Sequence, residues 1–86
     1  MLIDRIISER INALILIKGI SPSNPERVKK ILEEVGEFIE ALLSQGPDEV
    51  ADEGADIMIV VWIALEKLYG INPISAIMGK LDKEGV

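Results

Sequence analysis

The chain contains no cysteine and no histidine, and its only aromatic residues are Phe38, Trp62 and Tyr69. Without cysteine, neither a disulfide nor a thiolate-bound zinc braces so short a chain, and self-association is the usual remaining means of stabilising it. Without histidine, a carboxylate-bridged di-iron centre, which calls for Glu-x-x-His pairs, is disfavoured. The three aromatics sit inside helical apolar runs and are read as core, so no side chain is identified for stacking on a nucleobase. No uncharged apolar run reaches the roughly 18 residues of a membrane span. Asp4, Arg5, Glu9 and Arg10 interrupt the N-terminus in a way a signal peptide does not. These shortages predict a cytoplasmic protein with no membrane association.

A further shortage is local. Between Ile31 and Asp56 there are nine acids and no lysine or arginine, within a chain whose formal net charge is -6. That balance argues against a protein that holds nucleic acid through a positive field. What is present in quantity is aliphatic: hydrophobic residues make up 49% of 86 residues, too many for a disordered chain and suited to one helical domain spanning residues 1–86.

The apolar residues recur at helical spacing. Leu2, Ile3, Ile6, Ile7, Ile11, Leu14 and Ile15 define a first helix ending at Gly19. Ser21-Pro22-Ser23-Asn24-Pro25 is a turn, with Asn24 placed to cap a second helix and Pro25 to open it. That helix carries Val28, Ile31, Leu32, Val35, Ile39 and Leu42 as its apolar stripe and stops near Ser44, before Gln45-Gly46-Pro47. A third helix begins at Pro47 and runs to about Tyr69 and Gly70. Its stretch from Ile57 to Leu65 is apolar on every side and must be covered all round. Asn72-Pro73 starts a short fourth helix through Leu81. The expectation is an all-α chain of four helices, the second and third long and antiparallel, completing its core in an oligomeric bundle, dimer or tetramer.

Within a helix, residues three apart lie on neighbouring faces, so Glu34 with Glu37, and Glu53 with Asp56, each form a two-carboxylate patch. Counted outward from Gln45, Glu37 and Glu53 are each eight residues away, and Glu34 and Asp56 are each eleven. Antiparallel packing therefore sets the two pairs at matching levels. On the third helix, Glu49, Glu53, Asp56, Val60, Ile63 and Lys67 follow the four-three step of a bundle seam. Carboxylates converging there repel one another and lose hydration, and a hard divalent cation resolves the conflict. Mg²⁺ is the expected ion, with Mn²⁺ as a substitute. Glu33, Glu40, Asp48 and Asp52 are read as a solvated face.

Glu33-Glu34-Val35-Gly36-Glu37, followed after a short turn by Glu53-Gly54-Ala55-Asp56, resembles the MazG-like all-α NTP pyrophosphatase superfamily, related to dimeric dUTPases and dCTP pyrophosphatases. The resemblance implies metal binding by Glu34, Glu37, Glu53 and Asp56, with Glu33 joining them or positioning the attacking water, so that Glu33, Glu34 and Glu37 carry catalysis. It implies hydrolysis of an NTP or dNTP to monophosphate and pyrophosphate, a house-cleaning activity on nucleotide pools. Lys80-Leu81-Asp82-Lys83 is similar to the family's basic phosphate-holding segment, which makes Lys80 and Lys83 candidate phosphate ligands. The asparagine and arginine that many relatives carry there have no counterpart here. Two other readings stand beside the enzyme: a regulatory module that binds metal or nucleotide without turnover, and a structural helical oligomer.

Overall fold

The computed structural model describes residues 2–86, and among them there are four α-helices and no strand: α1 (Leu2–Lys18), α2 (Asn24–Ser44), α3 (Pro47–Ile63) and α4 (Pro73–Lys83). The all-α architecture expected from the apolar periodicity is present.

The helix ends obey the punctuation of the sequence. Gly19 (φ +62°) and Gly70 (φ +65°) take the left-handed conformation just past helical segments, where a side chain would be strained. Asn72 caps α4 by accepting a hydrogen bond from the Ser75 N–H at 3.1 Å, and Pro47 opens α3 directly after Gly46. At α2 the start falls one residue earlier than the Asn24 cap predicts. Ser23 holds the N-cap position, without a side-chain cap bond, and Asn24 is already helical. Proline needs no N–H partner in a first turn, so Pro25 fits the second position as well as the first.

Beyond Ile63, α3 continues through one π-helical turn, Ala64–Leu68, before the chain reaches Gly70. The wider turn shifts the helical register of its own residues and of Tyr69 beyond it. Lys67, expected on the α3 seam, is exposed, and Glu66 turns instead toward α1. There it accepts hydrogen bonds from the Ser8 hydroxyl (2.8 Å) and the Trp62 indole N–H (3.2 Å). Those bonds fasten α1 alongside the second half of α3, over a core of Ile11, Trp62 and Ile63 flanked by Ile7, Ile15, Ile20, Ile59 and Ile74. Of the three aromatics expected in the core, Trp62 lies in this cluster, Phe38 is half-buried against α3, and Tyr69 is 67% exposed at the end of the π turn.

Helices α2 and α3 pack antiparallel across the two-residue turn Gln45-Gly46. The α2 residues turned inward are Arg27, Glu34 and Ala41, which are buried, with Ile31 and Phe38 half-buried between them. They repeat at four-three-four-three spacing, a bundle seam. The apolar stripe read from the sequence keeps only Ile31 on that seam. Val28, Leu32, Val35, Ile39 and Leu42 lie one residue further round and are exposed. Met58 and Val61 of α3 are exposed too, so a single chain does not cover the all-apolar stretch. Among the described residues no single helix is long and apolar enough to cross a membrane.

Candidate metal centre

The α2–α3 seam brings four of the expected carboxylates together. Oxygens of Glu34, Glu37 and Glu53 lie within 4.8 Å of one another, and a second group joins Asp52, Glu53 and Asp56 within the same limit. Glu53 belongs to both groups and so links the two helices at the centre of the constellation.

The closeness of the helices has an identifiable cause. A Cβ placed on Gly54 would stand 3.2 Å from Cε1 of Phe38, so the missing side chain is what lets the Phe38 ring lie against α3. This contact sits beside Glu37 on one helix and Glu53 on the other, and holds the opposed carboxylates within reach of a common ion. The glycine inside Glu53-Gly54-Ala55-Asp56 thus has a packing role. Gly36 in the first motif does not, because nothing lies within 4 Å of its would-be Cβ.

The electrostatics are those of an acid cluster short of positive charge. Burial raises the Glu53 pKa from its ordinary value, reinforced by the Glu37 carboxylate beside it and by Asp56 and Asp52. Burial also raises Asp56, with Glu34 and Asp52 adding to the effect and Lys18 and Lys30 opposing it. Two carboxylate oxygens, Oε2 of Glu34 and Oε2 of Glu53, are buried without a hydrogen-bond partner. Buried acceptors are ordinarily satisfied by a hydrogen bond, and a charged one left without a partner is costly. Two such oxygens, contributed by facing helices and surrounded by further carboxylates, fit a hard divalent cation with oxygen ligands.

The remaining candidates are placed differently. Glu33 is exposed, outside both oxygen groups, and lies 3.8 Å from Lys30. Lys80 pairs with Glu84 at 2.9 Å, and Lys83 is exposed; among the described residues no ion pair links either to the acids of α2 and α3. Glu40 and Asp48 lie on the solvated surface, as expected, whereas Asp52 does not stay apart from the centre. Its position one turn before Asp56 is the signal that could have found it. Lys30 is a further site residue that the motifs do not reveal: its Nζ lies 3.0 Å from Oε1 of the buried Glu34, and the pairing raises the lysine pKa.

Comparison with known proteins bears on this geometry directly. The family model described as phosphoribosyl-ATP pyrophosphohydrolase matches residues 17–85, from the end of α1 through α4. The chain belongs to that family. The phosphoribosyl-ATP pyrophosphohydrolase family lies within the MazG-like all-α NTP pyrophosphatase superfamily, in agreement with the paired acidic motifs. It carries pyrophosphohydrolase activity on nucleotides, and the superfamily is generally dependent on a divalent metal. Neither the curated proteins nor the solved structures yield a match to the chain.

Proposed function

We propose that this protein is a Mg²⁺-dependent nucleoside triphosphate pyrophosphohydrolase, cleaving its substrate between the α- and β-phosphates to release a monophosphate and pyrophosphate. The observation that carries the reading is the pair of orphaned, buried oxygens on Glu34 and Glu53, set among opposed carboxylates of a chain in this family. Glu34, Glu37, Glu53 and Asp56 would hold the cation, with Asp52 near enough to Glu53 and Asp56 to join them. When bound, the ion neutralises phosphate charge and makes the phosphorus more electrophilic. Glu33, solvent-facing and beside the centre, orients the attacking water and draws off its proton. Lys80 and Lys83 are the cations of α4 proposed to meet substrate phosphates.

Two substrate classes share this bond. An ordinary NTP or dNTP is the first reading. Phosphoribosyl-ATP is the second, favoured by the family that the chain matches. Both present the same triphosphate to the same acids.

The protein is further proposed to work as a homo-oligomer, a dimer or tetramer. Leu32 is 69% exposed, Leu42 58% and Met58 67%, an apolar surface that a second copy would remove from water.

The deciding experiment is pyrophosphate release from a panel of NTPs, dNTPs and phosphoribosyl-ATP, with Mg²⁺, with Mn²⁺ and with EDTA, run beside Glu37→Gln. Metal-dependent release that disappears in the variant supports the enzyme and selects the substrate. Silence across the panel with saturable metal binding moves the protein to a non-catalytic nucleotide-binding module.

A further inference from the structure

Lys30 stands one helical turn before the buried Glu34. It lies in the second turn of α2, beyond the reach of the helix dipole. It precedes its partner Glu34 by four residues, the weaker of the two orientations for such a pair. Its partner is nevertheless the most buried acid of the centre, 5% exposed, and the contact is short at 3.0 Å. Lys30 holds only one of the two Glu34 oxygens and leaves Oε2 without a partner. The ammonium is thus a local counter-charge that satisfies half of a buried carboxylate.

We propose that Lys30 is a positioning residue that acts as the resident cation of the metal-free centre, holding Glu34 in place and competing with the divalent ion for it. This rests on the metal reading given above. A divalent ion entering between Glu34, Glu37 and Glu53 brings a like charge up to the ammonium, so the Lys30–Glu34 pair weakens as the ion binds. The exchange has two consequences. The protein keeps its buried acid paired when metal is scarce, and its metal affinity is lower than that of the same carboxylates without the lysine. Lys29, exposed and adjacent in the chain, makes no ion pair among the described residues and provides a control with the same loss of charge.

The test is calorimetric titration of Mn²⁺ into the full chain as wild type, Lys30→Met, Lys30→Arg and Lys29→Met, with thermal unfolding of each without metal. Lys30→Met is expected to bind Mn²⁺ roughly two- to fivefold tighter than wild type, the scale of one half-exposed ion pair. Its metal-free unfolding temperature is expected to fall. Lys29→Met and Lys30→Arg should bind no tighter than wild type. A Lys30→Met affinity equal to or weaker than wild type overturns the proposal, as does equal tightening in Lys29→Met, which would reduce the effect to net charge. If Lys30→Met unfolds without metal, Mn²⁺ must refold it, and a chain still unfolded at saturating Mn²⁺ also overturns the proposal. No saturable Mn²⁺ binding by the wild type would bring down the metal reading itself, an outcome distinct from wild-type binding that the lysine leaves unchanged.

Discussion

Helix α2 carries two stripes one residue apart, and they reverse the usual arrangement of a helix at a protein surface. The stripe against α3 reads Arg27, Ile31, Glu34, Phe38 and Ala41, with an arginine and a glutamate in the interior. The stripe about 100° round the helix reads Val28, Leu32, Val35, Ile39 and Leu42, and faces water. Each repeats at four-three spacing, so each is a packing seam. The first packs against α3 within the chain and carries the clustered carboxylates. The second has the composition of a core and no partner among the described residues. The proposed homo-oligomer would cover this second seam with another copy, while the first carries the clustered carboxylates.

The largest effect is expected from charging the outer stripe. Ile39→Lys places an unpaired cation on the face proposed to meet a second copy, which costs about 3–5 kcal/mol if the face is buried there. The expected result is dissociation or loss of fold, read by mass in solution and by helical circular dichroism. An unchanged mass with full helicity would leave the outer stripe as bare surface and remove the case for assembly.

On the inner stripe the corresponding change removes charge. Glu37→Gln or Asp56→Asn should lower turnover by about 3 kcal/mol or more, on the order of a hundredfold, because the ion loses a ligand. The helices should stay intact, and metal-free stability should hold or rise, since one of several repelling carboxylates is gone. A clear loss of metal-free stability would show that the acid serves the fold instead. Loading the centre gives the converse effect. Mn²⁺ at a hundred times its dissociation constant should stabilise the fold by about 2.7 kcal/mol, and EDTA should reverse the gain. In a chain of this size that is a rise in Tm of roughly 10–20 °C.

The inner seam is legible in the sequence where its signal is local. The equal counts from Gln45 bring Glu37 to Glu53, which Glu34 joins within 4.8 Å, and the proline and glycine punctuation places most helix ends. What stays hidden depends on tertiary register. A stripe found by looking for apolar residues selects Val28, Leu32, Ile39 and Leu42, because nothing in the α2 sequence says that its partner wants charge. Tyr69 and Lys67 are displaced from their expected places by the π turn, whose additional residue cannot be read from Ala64–Leu68. Gly54 gains its meaning only from the Phe38 ring lying over it. Asp52 and Lys30 are recoverable by i, i+4 arithmetic, from Asp56 and Glu34 respectively, and become site residues once those partners are known to face inward.

The smallest expected effect tests whether the comparison of stripes is specific. Asn72 stands at the start of α4, away from both seams of α2, where its carbonyl caps Ser75 and its amide donates to Asp4 of α1 at 3.0 Å. Asn72→Ala removes the cap and the link to α1, and should lower stability by about 1 kcal/mol in thermal or denaturant unfolding. Mass in solution and Mn²⁺ affinity should both remain as in the wild type. If this loosening far from α2 also halved the mass or weakened the metal, then Ile39→Lys and Glu37→Gln would be reporting general destabilisation. Effects confined to stability would leave the outer stripe answerable to assembly and the inner stripe to the metal, each through its own side chains.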